Sequence, residues 1–202
     1  MNEHHARVCG GADWTEHLQN DILPALTAGI DLGNEMLEVG PGPGAATDWL
    51  RNRVQRLVAV EHEEPAAGAL AARYAGSNVE VICGDATDLR LADTTFDAAG
   101  CFTMLHHVPT VALQNRLLAE VLRILRPGGV LVGSDSLPSD ALHRFHEDDT
   151  YNPVEPGTLL TRLQTLGFER ITIGVSEALT FIAHRPAVPD TTATPEIEPG
   201  RR

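Results

Sequence analysis

Basic side chains are scarce in this chain: 15 Lys and Arg stand against 28 Asp and Glu, for a formal charge of −13. No Lys/Arg-rich run offsets that deficit. Nucleic-acid affinity depends on cations that displace counterions from phosphates, so DNA and RNA are poor partners for such a surface. Cysteine is scarce too. Cys9, Cys83 and Cys101 are odd in number, far apart and without any C-x-x-C, which argues against a disulfide framework or a cysteine zinc site and fits a reducing, cytoplasmic compartment. Met1-Asn2-Glu3-His4-His5 lacks the basic-then-apolar order of a targeting signal. No apolar run approaches the roughly 18 residues of a membrane span, so no membrane partner is expected. What is present is 202 residues, 43% of them hydrophobic, enough to bury one substantial core. One soluble domain, a monomer or homodimer, is the expectation.

Helix and strand signals alternate along the chain, the pattern of an α/β sheet built from crossover units. Trp14, Leu18, Ile22, Leu23 and Leu26 fall near helical spacing and predict an opening helix over 13–29. Strand one is 35–39 and runs into Gly40-Pro41-Gly42-Pro43-Gly44, with a helix from Ala45 to about Arg53. Strand two is 57–61, followed by an alanine-rich helix over 65–75. Apolar runs at 79–83 and 96–102 predict strands three and four. A helix over 111–125 stops at Arg126-Pro127-Gly128-Gly129, and strand five is 130–134. A polar segment over 135–155 precedes a helix from Pro156 to Gly167. The runs 170–175 and 178–183 are too close for a crossover and predict an antiparallel hairpin. The expected organisation is a helical N-terminal cover over 1–34, a ligand-binding domain over 35–185 and a disordered Pro/Thr/Glu-rich tail over 186–202.

The chemistry concentrates at the end of strand one. A strand that enters a glycine-rich turn and then a helix leaves its backbone bare, so a ligand can approach the helix N-terminus. Three readings of the glycines stay open. Gly40-x-Gly42-x-x-Ala45, with Glu61 near the 20-residue offset of a ribose-binding acid, also satisfies the dinucleotide fingerprint of NAD(P)-dependent oxidoreductases. A turn with no ligand is the third.

Other residues separate them. Glu38-Val39-Gly40-Pro41-Gly42-Pro43-Gly44 resembles motif I of class I S-adenosylmethionine-dependent methyltransferases, where an acid precedes the glycines. The resemblance continues through Glu61, Gly84-Asp85-Ala86, Phe96-Asp97, Leu105-His106-His107 and Leu125-Arg126-Pro127-Gly128-Gly129, and covers about 35–183. It implies a Rossmann-like, doubly wound seven-stranded sheet, mostly parallel, with an antiparallel C-terminal hairpin. It also implies S-adenosylmethionine as cofactor and S-adenosylhomocysteine as product.

Roles follow from that resemblance. Glu61 is expected to accept hydrogen bonds from the ribose hydroxyls, since a carboxylate offers two oxygens. Asp85, with Gly84 and the Ala86 backbone, is expected at the adenine amino group and His62 near one ring face. Glu38 is expected at the positive amino group of the methionine end, with Gly40, Gly42, Gly44 and Phe102 around that tail. Each acid has an ordinary alternative as a solvated strand end or helix cap. Methyl transfer from a sulfonium is an in-line displacement, so alignment is the main task. His106 and His107, after strand four, are the expected base or acceptor contacts where a proton must leave, and otherwise cap or pack under the next helix.

His143, His146 and Tyr151, beside Asp148 and Asp149, fall in the segment expected to cover the acceptor. Polar lining of the acceptor site is the reading taken. Histidines at i and i+3 with neighbouring acids also suit a metal, but one short segment cannot show convergence, and no metal ligand is assigned. His4, His5, Arg7 and Cys9 could fold over the cofactor. No Asn-Pro-Pro-Tyr or Asp-Pro-Pro-Tyr follows strand four, so the pattern for methylating exocyclic base nitrogens is missing. With no inserted domain, a small-molecule acceptor is expected. A non-catalytic cofactor-binding protein is the other alternative.

Overall fold

A computed structural model describes residues 11–188. His4, His5, Arg7 and Cys9, and the tail beyond Val188, lie outside the described residues. The chain opens on helix α1 (Ala12–His17), one π-helical turn (Leu18–Ile22) and α2 (Leu23–Thr27). Pro24 has no amide hydrogen to continue the ladder, which fits the widened turn just before it. There follow β1 (Glu35–Val39), α3 (Ala45–Leu50), β2 (Arg56–Glu61), α4 (Glu64–Arg73), β3 (Val79–Cys83) and β4 (Phe96–Phe102). A 3₁₀ turn (Leu105–His107) leads to α5 (Val111–Ile124), β5 (Leu125–Asp135), α6 (Asp140–Phe145), α7 (Pro156–Leu166), β6 (Glu169–Val175) and β7 (Leu179–His184). No described helix is long and apolar enough to cross a membrane.

The strands form one sheet in the order β3-β2-β1-β4-β5-β7-β6. The first five run parallel; β7 is antiparallel to both β5 and β6. Strand alternation splits the core between two faces. Met36, Ala98, Val130 and Val132 pack with Leu18, Leu23, Trp49 and Leu50. Leu37, Val39, Ala99 and Leu131 pack with Leu117, Leu118, Val121 and Ile124 of α5 and with α7. Each such fully buried leucine or isoleucine contributes about 1.5–3 kcal/mol.

Most bounds shift by a few residues, and two features depart further from the sequence reading. β5 begins at Leu125 rather than Val130: Leu125 pairs with Phe96, and the Pro-Gly-Gly stretch makes an irregularity before Val130 pairs with Ala98. Gly128 and Gly129 exchange backbone bonds with Arg185, whose guanidinium accepts the role of a helix cap by donating to the carbonyls of Leu122, Arg123 and Leu125. The polar segment also holds a short helix, α6, whose N-cap Ser139 Oγ accepts from Leu142 N at 3.2 Å.

Two glycines test this packing in opposite directions. A β-carbon at Gly133 would lie 2.2 Å from the Phe181 ring and 2.8 Å from the Cys101 carbonyl, whereas one at Gly68, within α4, meets nothing within 4 Å. Gly133→Ala should cost at least about 1–3 kcal/mol of overpacking strain. Gly68→Ala should gain about 0.5–1 kcal/mol from helix propensity. Urea unfolding of both variants checks the signs, and a neutral Gly133→Ala would contradict the β5–β7 register.

Candidate active site

β1 and β4 lie side by side in the sheet, but their connections leave in different directions, so a crevice opens beyond their carboxyl ends. The glycine corner sits at that crevice. Gly40 N donates to Val60 O at 2.9 Å and Gly44 N to Pro41 O at 2.9 Å, which closes the turn. Gly42 has φ +53°, and a β-carbon there would meet nothing within 4 Å, so the backbone faces open space. Gly44 plays a different part: a β-carbon on it would lie 2.8 Å from Tyr74 Oη, and it is buried behind the corner.

A cavity of about 500 Å³ occupies the crevice. Of the residues singled out from the sequence, Glu38, Gly40, Gly42, Glu61, His62, Gly84, Asp85, Ala86, Phe102 and His107 line it. Gly44, His106, His143, His146 and Tyr151 are not among its lining residues.

The three acids differ in environment. Glu38 is buried and accepts from Thr47 Oγ1 at 2.7 Å. Loss of solvation pushes its carboxyl up to about 7; the Thr47 bond opposes this, and the charges of Asp48 and Glu61 add to it. Glu61 accepts from Gly42 N at 3.1 Å through Oε2 and from Glu63 N at 3.0 Å through Oε1. A carboxylate has about four lone-pair sites, so two more donors can be received. Asp85 is exposed, and its Oδ1 accepts from Thr87 N at 2.8 Å, a bond that holds it below the usual carboxylate range.

On the β4 side, Thr103 adopts φ +55° and its amide donates to Ser134 O at 2.7 Å. Left-handed backbone at a non-glycine residue is a strained feature that clusters at functional sites. The neighbouring histidines part company here. His106 is 1% exposed and turns to the sheet, where Asp135 Oδ2 accepts its amide at 3.2 Å and Oδ1 meets its Nδ1 at 2.5 Å. His107 turns to the cavity.

The segment after β5 is fastened over this loop. Asn152 N donates to His106 O at 2.7 Å and Asn152 Nδ2 to Val108 O at 3.0 Å. Buried Gln114 donates through Nε2 to the carbonyls of Leu105 and Asn152, both at 2.9 Å. Asp149 and Thr150 thereby reach the cavity wall. His143 is exposed, with its ring 5.9 Å from Tyr151, while His146 is buried and stacks on Tyr151 at 4.5 Å. Burial lowers the pKa of His146.

Several wall residues escaped the sequence reading: Trp14, Leu18, Thr87, Leu113, Leu117 and Thr150. Trp14 and Leu18 carried a helical signal, which spoke for core and not for a cavity. Asp149, which the sequence groups with His143, His146 and Tyr151 as polar lining, is the member of that group on the cavity wall.

Comparison with known proteins bears on what this crevice is. Residues 37–133 match the family described as a methyltransferase domain. A probable S-adenosylmethionine-dependent methyltransferase from Mycolicibacterium smegmatis is 29% identical over 149 residues, 71% of this chain and 55% of that protein. A demethylmenaquinone methyltransferase from Thermobifida fusca is 34% identical over 113 residues, 54% of this chain and 47% of that protein. The chain thus spans about half the length of the curated relatives it matches. The N-methyltransferase NodS from Bradyrhizobium japonicum, solved with S-adenosyl-L-homocysteine, superposes with a TM-score of 0.69 at 20% identity, covering 92% of this chain and 93% of that one. Residues 37–133 are thus similar to the methyltransferase-domain family, and the seven-stranded sheet with its closing hairpin shares the fold of the solved methyltransferase.

Proposed function

We propose that this protein binds S-adenosylmethionine in the β1/β4 crevice and methylates a small-molecule acceptor, with S-adenosylhomocysteine as product. The observation that carries the reading is the convergence of Glu38, Glu61 and Asp85, from the ends of three strands, on one cavity with a bare glycine corner. Bound there, the cofactor supplies a methyl group on a sulfonium, which is already an activated leaving group. The chain's own residues hold and align. Glu61 accepts the ribose hydroxyls, Asp85 and the Ala86 backbone take the adenine amino group with His62 beside the ring, and Glu38 faces the ammonium of the amino-acid end. The Gly40, Gly42 and Phe102 backbone encloses that tail.

Charge favours this reading over a nicotinamide cofactor. Glu61 suits a ribose in either cofactor, but a pyrophosphate at the corner would also meet Glu38 behind the glycines, and like charges repel once that carboxyl is ionised. An ammonium is attracted to it.

On the acceptor side, His107, Asp149 and Thr150 are the polar wall and Trp14, Leu18, Leu113 and Leu117 the apolar one. His107 is the group suited to receive a proton from a hydroxyl or ammonium acceptor. Cofactor and acceptor must share about 500 Å³, the scale of a small-molecule site. The quinone methyltransferase among the relatives supports a small acceptor too. Arg56, Arg73, Arg123 and Arg126 are each paired with carboxylates, so the charge of −13 is not offset by an exposed basic face of these residues.

Calorimetry with the full chain tests the binding step. Wild type should bind S-adenosylmethionine and S-adenosylhomocysteine, and Glu61→Gln should lose about 10- to 100-fold, the worth of its charge-assisted bonds. Stabilisation by NAD(P) and none by either sulfur ligand would overturn the reading in favour of an oxidoreductase. Tight cofactor binding without transfer to any O, N, S or C nucleophile, followed by mass spectrometry, would mark a non-catalytic protein.

Glu38 adds a pH signature. Its carboxyl, raised to about 7 in the folded protein, contributes stability that is present below the unfolded value near 4.5 and lost as pH rises through about 7. Ligand-free Glu38→Gln should therefore melt above wild type at pH 8, with the gap closing by pH 5. Cofactor affinity runs the opposite way: below about 7 the proton must leave before the ammonium is paired, so wild-type affinity should fall toward pH 5.5. Glu38→Gln should bind weakly with a flatter profile. A Glu38→Gln melt that tracks wild type at every pH would contradict the buried charge.

A further inference from the structure

His106 and His107 leave β4 on one turn, and His146 arrives from the far end of α6, 39 residues later in the chain by the difference 146 − 107. The fold brings the three together. Ring centroids are 4.2 Å apart for His106–His107, 4.9 Å for His106–His146 and 5.3 Å for His107–His146. One ring nitrogen from each lies within 4.8 Å of the other two. We propose that His106, His107 and His146 form a binding site for a late first-row divalent cation, Zn²⁺ being the type case, at the join between the β4 loop and the segment that covers the cavity.

Tautomer control points the same way. His146 Nδ1 lies 2.7 Å from Leu142 O, and a carbonyl only accepts, so Nδ1 carries the proton and Nε2 presents its lone pair. His106 Nδ1 faces Asp135 Oδ1 at 2.5 Å, the carboxylate–histidine arrangement that orients metal-bound imidazoles and leaves Nε2 as the ligand atom of the neutral ring. Asp135 is itself fixed, because its Oδ1 also accepts from Ser136 N at 2.7 Å. This side chain is 1% exposed, so its position against the ring is set by the fold.

Donor chemistry selects the ion. Three imidazoles suit Zn²⁺, Co²⁺, Ni²⁺ or Cu²⁺, whereas Mg²⁺ and Ca²⁺ require oxygen. Tetrahedral coordination at about 2.1 Å sets nitrogens about 3.4 Å apart, so modest ring rotations close the remaining distance. The scaffold is braced for this, since Asn152 ties the covering segment to His106 O and Val108 O. Three protein ligands leave a fourth position for water or an acceptor atom. His107 lines the cavity, so the ion would border the acceptor and take over the proton-handling part assigned to that ring.

The metal proposal does not require the methyl-transfer reading, and the test keeps them apart. Full-length protein stripped by chelator and titrated with Co²⁺ should bind one equivalent, develop the visible spectrum of a tetrahedral nitrogen-ligated ion, and release it to Zn²⁺. His146→Gln and His107→Gln should each weaken Co²⁺ binding at least about 100-fold. Asp135→Asn should weaken it about 10- to 100-fold through ring orientation. The double variant His4→Gln/His5→Gln, and His17→Gln at an exposed ring, should bind Co²⁺ as wild type does. S-adenosylmethionine binding, read by calorimetry on the same preparations, should persist in His146→Gln, which certifies a folded crevice and reports on the cofactor reading by itself. If His146→Gln fails to fold, the wild-type spectrum together with Asp135→Asn decides. Absence of Co²⁺ and Zn²⁺ binding by wild type, loss of binding in the His4/His5 variant, or undiminished binding in the folded cluster variants would overturn the site.

Discussion

The hydrogen bond from Gly42 N to Glu61 Oε2 holds the crevice together. It joins the corner after β1 to the end of β2, two strands also held by their backbone ladder and, at the opposite end, by Arg56 against Glu35. Gly42 holds φ +53° and presents its amide to the carboxylate, while Glu61 still lines the cavity. One acid thus shapes the corner and remains available to a ligand. Next door, burial raises the Glu38 carboxyl to about 7, and the charges of Asp48 and Glu61 add to it. A site that keeps two acids close, with no Lys or Arg among the described residues of the cavity wall, is poised for a ligand that brings positive charge, and the ammonium and sulfonium of one small molecule answer that need.

How much of this was legible in the sequence depends on whether a residue's position follows from local signals. β4 and the opening of α7 match their expected bounds because apolar alternation, Pro156 and Gly167 act within a few residues. Glu38, Glu61 and Asp85 were legible as strand ends, and parallel strands in the order β3-β2-β1-β4 bring their carboxyl ends to one edge. The start of β5 was not. Proline and glycine there forecast a loop, but pairing of Leu125 with Phe96 and the backbone bonds to Arg185 come from elements far away in sequence. Tertiary partners, not local propensity, decide that boundary.

The segment after β5 shows the same limit more sharply. Sequence spacing grouped His143, His146 and Tyr151 as one patch toward the acceptor; the rings of His143 and His146 do both meet Tyr151, yet His143 is exposed and His146 buried, and none of the three lines the cavity. Which part of the segment faces the cavity is settled by Asn152 and Gln114, whose bonds to the β4 loop turn Asp149 and Thr150 inward. Neither Asn152 nor Gln114 carries a motif. Their importance is visible only when the carbonyls of Leu105, His106 and Val108 are seen to need donors.

That bracing also explains why two adjacent histidines take different parts. Asp135, the last residue of β5, draws His106 into the sheet edge with two bonds, and the tight 3₁₀ turn then leaves His107 directed at the cavity. Had Asp135 been apolar, His106 would have lost the partner for its Nδ1 inside a dry core, an outcome that costs on the order of 1–3 kcal/mol for an unmet polar group. The acid therefore fixes a histidine that never touches the cavity, and through the turn it sets the direction of one that does. The geometry of this cavity wall is governed from the sheet outward, with the covering segment fastened to a loop whose own shape the sheet has already determined.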